Sequence, residues 1–390
     1  MSLSNASIVR LSNSLPLKAV RQAITCGKII DRAVAIQQIP SPTFEEQKRA
    51  ASVMQQFQKL GLEQVEQDDL HNVYGWLPGS HEEVLLISAH TDTVFPAETS
   101  LEIRRENGRI YGPGLGDNSL GVAGLITLAE LFLQSDVPHD ATLCFVANTR
   151  EEGLGNLEGI NHVASRLSGR IRAGIVVEGM ALGRIYHAGI AVRRLKVMVT
   201  APGGHSWLHF GSESAVHRLM RFGADLSYLS VPEKPRTTFN IGLISGGSSI
   251  NTIAGSAECY LDLRSEDMET LNELESRVRS LAERNTTSGV TFDFEAVGER
   301  PAGGIPQDHP LIRLAVDAHR EINMTVELES GSTDANALLS RGIPTVCVGI
   351  SYGGNAHTPG EYIETAPVED GMWQLFLLTA AASNAVTVWE

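Results

Sequence analysis

The sequence predicts an α/β protein in which a doubly wound, mostly parallel sheet is interrupted by an inserted α+β module. Three short apolar runs, 84–88, 142–147 and 174–177, are typical of strands buried on both faces. Segments with helical apolar spacing alternate with these runs, and such alternation builds a sheet with helices on both sides. The length of 390 residues favours two domains.

The sheet domain can be followed along the chain. Ser41-Pro42-Thr43-Phe44-Glu45-Glu46 is typical of a turn that leads into a capped helix start. Helices are predicted at 29–39, from this turn to about Leu60, at 120–132, 160–167 and 311–322, near Ala335, and from Met372. A fourth apolar run, 345–350, predicts the last strand.

The pattern changes between about 193 and 298. Alternating apolar and polar residues predict half-exposed strands at 195–200, 239–244, 258–263 and 291–296, with helices at 214–229 and 271–285. We therefore expect a catalytic domain formed by 1–192 and 299–390, and an inserted module at 193–298.

Composition excludes several classes of protein. The net charge of −15 argues against general affinity for nucleic acid or anionic membranes. No apolar segment reaches the ~20 residues of a membrane span, and the first 27 residues lack the apolar core of a signal peptide. The four cysteines form no C-x-x-C pair, which indicates neither a disulfide framework nor a thiolate zinc site. We expect a cytoplasmic protein.

Histidine and acidic residues follow each predicted strand of the sheet domain. Ligands of open α/β sheets bind outside the carboxyl ends of the strands, and five such positions converge there. They carry His90 and Asp92, Glu151 and Glu152, Glu178, His357, and Asp117 in a glycine-rich turn. That turn, 112–116, lacks the third glycine of G-x-G-x-x-G and the lysine of a P-loop, which argues against a nucleotide site.

These residue types suit a hydrolytic site with two metal ions. Histidine and carboxylate are the usual ligands of such zinc sites, and a carboxylate can bridge two ions ~3.5–4 Å apart. A further acidic group must stay off the metal and move protons. The adjacent Glu151 and Glu152 can supply both functions because neighbouring side chains point in different directions. Asp92 can hold the second ring nitrogen of His90.

Five motifs resemble those of the dinuclear zinc peptidases and deacylases, a family that includes glutamate carboxypeptidase, succinyl-diaminopimelate desuccinylase, acetylornithine deacetylase and peptidase T. The motifs are Ser88-Ala89-His90-Thr91-Asp92-Thr93-Val94, Gly116-Asp117, Glu151-Glu152-Gly153, Val177-Glu178-Gly179 and Ala356-His357-Thr358-Pro359-Gly360-Glu361. The resemblance extends from about residue 31 to residue 388.

The resemblance implies a ligand set for two divalent ions, Zn²⁺ with Co²⁺ or Mn²⁺ as substitutes. His90 and Glu178 would bind one ion, Glu152 and His357 would bind the other, and Asp117 would bridge them.

Other roles also follow from the resemblance. Glu151 would be the general base that activates the bridging water, and Asp92 would orient His90. The inserted module resembles a lid that often carries a homodimer contact. His205 in this module would steady the oxyanion, commonly in the partner's site.

The substrate contacts are implied in the same way. Asn251 and Arg264 would contact substrate, with Arg264 on a carboxylate beside the cut amide. Ser332 and Thr333 would line the pocket.

Three functions remain open at this point: a peptidase acting on small peptides, a deacylase of N-acyl amino acids, or a catalytically silent metal-binding relative. The presence of Glu151 argues against the third, because a silent protein needs no base beside its ligands. Glu at 178 resembles the deacylase and carboxypeptidase members. Asn118 stands where the family often carries Asp or Met.

Overall fold

The structure is a computed structural model, which describes residues 15–386 together with Ile8. The chain divides into two compact units. Of the described residues, the first unit contains those up to Gly189 and from Gly303 onward, and the second spans Ile190–Ala302. The predicted module, 193–298, lies inside the second unit.

The helices of the described residues are α1 Leu15–Ala23, α2 Cys26–Gln37, α3 Gln47–Leu60, α4 Leu120–Leu133, α5 Glu158–Arg166, α6 Ala215–Ser227, α7 Met268–Asn285, α8 Pro310–Arg320, α9 Ala335–Leu339 and α10 Val368–Ala385. The strands are β1 Glu63–Gln67, β2 Val73–Leu77, β3 Val84–His90, β4 Arg104–Glu106, β5 Arg109–Tyr111, β6 Thr142–Asn148, β7 Ile171–Glu178, β8 Arg184–Gly189, β9 Ala191–Thr200, β10 Gly204–His205, β11 Thr237–Gly246, β12 Thr252–Ile253, β13 Ser256–Ser265, β14 Thr291–Arg300, β15 Gly303–Gly304, β16 Glu327–Gly331, β17 Thr345–Gly349, β18 Gly353–Gly354 and β19 Tyr362–Glu364.

A nine-stranded sheet forms the centre of the first unit. Its order is β1-β2-β6-β3-β7-β17-β8-β15, with β16 paired to β8. The neighbours β6, β3, β7 and β17 are parallel, and antiparallel strands extend the sheet on both sides. The parallel strands are apolar because helices cover both faces. The predicted α/β fold with a mostly parallel sheet is confirmed.

Successive residues of β3 enter different apolar clusters, one on each face of the sheet. Leu85 and Ile87 pack in the cluster that contains residues of α4 and α10. Val84 and Leu86 pack in the cluster that contains residues of α5. Because an apolar cluster covers each face of the strand, residues 84–87 are all apolar, and Ser88 is the first polar residue.

The second unit is an antiparallel sheet with helices on one face. Its strand order is β11-β13-β9-β14, and β10 pairs with β12 in a separate two-stranded ladder. Leu195, Val197 and Val199 share one apolar cluster with residues of α6 and α7. The intervening residues of β9 are polar or half-buried, as the alternating sequence predicts.

Sequence reasoning overlooked several elements at the margins of the large sheet. β8 and β16 are half-exposed and mix charged, aromatic and small residues, so neither shows a clear period of two. α1 was also not predicted, because the first 27 residues mix polar and apolar side chains. Within the described chain, no helix combines the length and apolarity needed to cross a membrane.

Two helical glycines provide a test of the packing. A Cβ at Gly371 in α10 would lie 1.8 Å from the carbonyl oxygen of Ile350, whereas one at Gly27 in α2 would meet nothing within 4 Å. We expect Gly371→Ala to lower the free energy of unfolding by ~1–3 kcal/mol. Gly27→Ala should leave it unchanged or raise it by at most about 1 kcal/mol. Urea denaturation of both variants measures this, and equal effects would contradict the packing described.

Candidate active site

The candidate site lies at the edge where four parallel strands end. β6, β3, β7 and β17 are neighbours in that order, and their register pairs His90 with Asn148 and Glu178 with Gly349. Because these strands run in the same direction, the residues at their carboxyl ends emerge together.

A small sheet brings a second set of residues to this edge. β18, β19, β5 and β4 pair in that order, and Tyr362 lies opposite Tyr111. The glycine turn 112–116 follows β5, and the loop with His357 precedes β19. Asp117 and His357, 240 residues apart in sequence, therefore lie in contact.

Asp117 is the centre of a cluster of histidine and carboxylate side chains. Its Oδ1 lies 3.2 Å from Nε2 of His90, and its Oδ2 lies 3.0 Å from Nε2 of His357. The Oε2 of Glu178 lies 3.7 Å from Nε2 of His90, and the Oε1 of Glu152 lies 3.2 Å from Nε2 of His357. The five predicted ligands thus form two His–Glu pairs that share Asp117.

This donor set fits two divalent cations. Each ring nitrogen faces two carboxylate oxygens, yet it carries at most one hydrogen and cannot satisfy both. Ligand atoms around a tetrahedral zinc ion with bonds of ~2.0–2.2 Å lie roughly 3.3–3.6 Å apart, which is similar to the spacing found here. Ligand atoms of His90, Asp117 and Glu152 all lie within 4.8 Å of one another.

The pKa values of the cluster reflect its excess of negative charge. Burial raises the pKa of Glu152 and of Glu178 to about 7, and the charge of Asp117 adds to this effect. Hydrogen bonds to Asp117 and Glu152 raise the pKa of His357 to about 10. Burial opposes protonation of His90, but the charge of Glu178 and nearby carboxylate hydrogen bonds raise its pKa well above the usual value.

Glu361 holds the turn that presents Asp117. Its fully buried carboxylate accepts the backbone N–H groups of Gly114 at 3.3 Å, Gly116 at 2.7 Å and Asp117 at 2.9 Å. Burial raises the pKa of Glu361 to about 7, against the effect of these hydrogen bonds. Glu361 ends the sequence motif 356–361, whose pattern alone assigns it no role.

Asn118 joins the same turn to the end of β7. Its side-chain amide donates to the carbonyl oxygen of Val177 at 2.9 Å, and its Oδ1 accepts the N–H of Gly179 at 2.9 Å. These bonds lie on either side of Glu178. The peptide bond Asp117–Asn118 is cis. Through its two hydrogen bonds, Asn118, which departs from the family pattern, fixes the turn of Asp117 relative to Glu178.

Asp92 positions three predicted site residues. Its Oδ1 accepts the backbone N–H of Glu151 and its Oδ2 that of Glu152, both at 2.9 Å. The Nδ1 of His90 lies 3.1 Å from the backbone carbonyl oxygen of Asp92 and 3.5 Å from its carboxylate. The main chain of Asp92 is thus the nearer partner of the ring, and its carboxylate mainly holds the two glutamates.

Asp334 is a buried acid that sequence reasoning did not assign. Its Oδ2 accepts a hydrogen bond from the side chain of Asn148 at 2.8 Å. Burial, followed by the charge of Glu151, raises its pKa well above the usual value. The neighbouring Thr333, a predicted pocket residue, accepts the N–H of Ala335 at 3.2 Å at the start of α9. Ser332 is half-buried in this loop.

The predicted site residues of the second unit fall into two groups. His205 pairs with Thr252 across β10 and β12, and the N–H of Ser206 donates to the carbonyl oxygen of Asn251 at 3.0 Å. Arg264 lies near the far end of β13, where its Nε donates to Asp262 at 2.6 Å. The structure thus brings His205 close to Asn251 and not to Arg264.

The fold and the His–carboxylate cluster define a hydrolase that acts on carbon–nitrogen bonds. This chain belongs to peptidase family M20/M25/M40, because the sequence model of that family matches residues 86–378. The resemblance inferred from the five motifs is confirmed.

Three known proteins are similar to this chain in sequence or in fold. A succinyl-diaminopimelate desuccinylase from Paraburkholderia xenovorans is 25% identical over 365 residues, 84% of this chain and 92% of the relative. The structure of aminopeptidase PepT from Bacillus cereus gives a TM-score of 0.75 at 20% identity, covering 92% of this chain and 98% of that chain. A dinuclear metal-binding peptidase of the M20 family from Bacillus subtilis gives 0.67 at 17% identity, covering 95% and 99%.

Proton release tests the ligand set. A histidine must lose its proton before the ring nitrogen can bind a metal ion, and the pKa of His357 is about 10 in the metal-free cluster. Zinc binding at pH 7 should therefore release at least about one proton per histidine ligand. Affinity should rise with pH and weaken as pH falls, because protons compete for the rings.

Calorimetric titration of metal-free protein in buffers of different ionisation enthalpy counts these protons. The His357→Ala variant should release fewer protons than the wild type. Equal heats in every buffer would show that His90 and His357 do not bind the ions.

Proposed function

We propose that this protein hydrolyses an amide bond in small peptides, using two divalent ions held by His90, Asp117, Glu152, Glu178 and His357. The ions are proposed to be Zn²⁺, with Co²⁺ or Mn²⁺ able to substitute. The observation that carries the proposal is Asp117, whose two oxygens each face a different histidine. Ions bound there would polarise the scissile carbonyl and lower the pKa of a water molecule to ~7.

Glu151 is proposed to move the proton. Its side chain is buried, and its backbone N–H is fixed by Asp92 next to the proposed ligand Glu152. A carboxylate held in this way can take a proton from water and pass it to the leaving nitrogen.

His205 is proposed to donate a hydrogen bond to the developing oxyanion. Its Nδ1 accepts the backbone N–H groups of Trp207 at 3.2 Å and Leu208 at 3.4 Å. A neutral ring whose Nδ1 accepts carries its hydrogen on Nε2. In this tautomer the Nε2–H of His205 can donate to the oxyanion. Loss of one such donor costs ~2.7–4 kcal/mol of transition-state stabilisation.

The length of β13 favours action of His205 and Arg264 in different subunits. The segment from Ser256, beside the β10–β12 ladder, to Arg264 spans about 26 Å at ~3.3 Å per residue. A tripeptide reaches at most ~11 Å, so one substrate cannot contact both ends of this sheet. We propose that Arg264 binds the substrate carboxylate, and that His205 and the substrate contact Asn251 complete the partner's site.

An exposed apolar edge supports the proposed homodimer. β11 is an edge strand of the sheet, and its Leu243 and Ile244 are 66% and 62% exposed. Met220 on α6 and Tyr228 after it are also exposed. Apolar edge strands pair with other chains unless they are covered. We propose that the second unit supplies this contact and serves as the lid.

A cytoplasmic location is part of the proposal. Cys26, Cys144, Cys259 and Cys347 are all free thiols, and three of them are buried. Unpaired thiols are typical of a reducing compartment.

Deacylation of N-acyl amino acids is the alternative. One relative is a desuccinylase, and a deacylase would use the same water, base and carboxylate contact. The two candidates differ only in the group that precedes the scissile carbonyl. Parallel turnover assays on di- and tripeptides and on N-acetyl and N-succinyl amino acids test which one holds.

Replacing the base separates catalysis from metal binding. Glu151→Gln should lower turnover by ~10²–10⁴-fold while both metal ions stay bound, because an amide cannot take a proton. Glu152→Gln should instead weaken metal binding. Elemental analysis and steady-state assays measure both effects. Loss of metal from the Glu151 variant but not the Glu152 variant would reverse the two roles.

Arg264 provides a test of carboxylate recognition. Its Nε is bound to Asp262, which leaves the two terminal nitrogens to make paired bonds to a substrate carboxylate. The wild type should strongly prefer a free acid over its C-terminal amide in kcat/KM. Arg264→Lys should lose most of this preference, because an ammonium cannot make both bonds. Equal cleavage of acid and amide by the wild type would rule out this recognition.

A further inference from the structure

Two residues with left-handed backbone conformations meet at one buried carboxylate. Phe44 has φ of 77° and Arg150 has φ of 58°. Their backbone N–H groups both donate to Oε1 of Glu46, at 3.0 Å and 3.2 Å. Glu46 is completely buried at the start of α3. This conformation is unfavourable for residues with a Cβ, above all for bulky ones, and persists only where contacts hold it.

Arg150 directly precedes Glu151, the proposed base. Three consecutive N–H groups, of Arg150, Glu151 and Glu152, donate to carboxylate oxygens of Glu46 and Asp92 at 3.2, 2.9 and 2.9 Å. The backbone that carries the base and a proposed ligand is thus fixed by two buried acids from other parts of the chain.

The turn 41–46, which contains Phe44 and Glu46, makes two further contacts with the residues around the site. The hydroxyl of Thr43 donates to Oδ2 of Asp92 at 2.9 Å. The guanidinium of Arg150 lies over the ring of Phe44, 5.3 Å from its centroid. Movement of the turn would therefore shift the backbone on both sides of Arg150.

We propose that Glu46 is a positioning residue for Glu151. By accepting the N–H of Arg150, it keeps that residue left-handed, and this conformation determines the direction of the next side chain. Without the bond, Arg150 can relax to an ordinary conformation and turn the Glu151 carboxylate away from the water it deprotonates. The inference rests on the proposed function, because the role of Glu151 as the base belongs to it.

Two substitutions separate the position of the acceptor from its charge. Glu46→Gln keeps an acceptor oxygen in place without the charge, whereas Glu46→Asp keeps the charge but withdraws the oxygen by one methylene. Glu46→Asp should lower kcat by ~10–100-fold, as expected for misplacement of a catalytic group. Glu46→Gln should stay within about threefold of the wild type, because both bonds can still form. The exposed neighbour Glu45, changed to Gln, is the matched control and should match the wild type.

Three readouts accompany kcat in the metal-loaded enzyme: KM, metal content, and amide hydrogen exchange at Arg150 and Glu151. KM and metal content should be unchanged in every variant. Exchange at both amides should accelerate in Glu46→Asp only, with or without metal.

The proposal is overturned if Glu46→Asp keeps wild-type kcat, if Gln and Asp lower kcat equally, or if the loss of kcat follows a loss of metal. A wild-type enzyme without amidase activity would refute the proposed function, while amide exchange would still report whether Glu46 holds the backbone. If Glu46→Asp does not fold, Glu46→Ala, which removes the acceptor of the Arg150 N–H, is compared in wild-type and Arg150→Gly backgrounds. Glycine adopts the left-handed conformation freely, so any loss of kcat should shrink there. An equal loss in both backgrounds would overturn the proposal.

Discussion

The burial of several carboxylates at one sheet edge is the constraint on which the first unit depends. A buried ionised acid is costly unless hydrogen bonds or opposite charges compensate it, and the acids here are compensated in two ways. Asp92 and Glu361 accept two and three backbone N–H groups. Asp117, Glu152 and Glu178 face histidine nitrogens and have no backbone N–H partner within the described chain. Acids satisfied by amides can hold the scaffold, whereas acids left with histidine alone are available to bind cations.

This division couples stability to metal binding. A ligand that binds only the folded state stabilises it by about 2.7 kcal/mol at a hundredfold excess over Kd. Without a cation, burial and the charge of Asp117 raise the pKa of Glu152 and of Glu178 to about 7, so the cluster disfavours its full negative charge. Close packing adds to the constraint, since a Cβ at Gly179 would lie 2.1 Å from the carbonyl oxygen of Gly116. Only glycine lets the turn with Asp117 approach the end of β7.

The sequence predicts the parallel strands well because each is a short apolar run, and three of the four end in a polar residue: His90, Asn148 or Glu178. For β3 the change occurs within the strand, where Ser88 and His90 follow a run that begins at Val84. The converging strand ends then follow from the parallel order. Elements such as β16 carry no such contrast, because they are half-exposed at the sheet margin.

The acids that hold the scaffold could not be predicted in the same way. Nothing in the local pattern distinguishes Glu46 from Glu45, although one is fully buried and the other exposed. Their difference arises from the amide of Arg150, 104 residues away. Glu361 likewise reaches the amide of Gly116 across 245 residues. Such partners are backbone groups, which every residue has, so only the fold selects them.

The second unit imposes a different kind of constraint, which is length. A ten-residue antiparallel strand is a nearly rigid spacer, and β13 keeps Arg264 away from the ladder that carries His205. If both residues act on one substrate, each subunit carries a complete set of metal ligands and a base but lacks its own oxyanion donor. On this proposal the apolar edge of β11 has a catalytic consequence, because the contact that buries Leu243 and Ile244 would also deliver the partner's histidine. Dimer formation would then be a condition for full activity and not merely a source of stability.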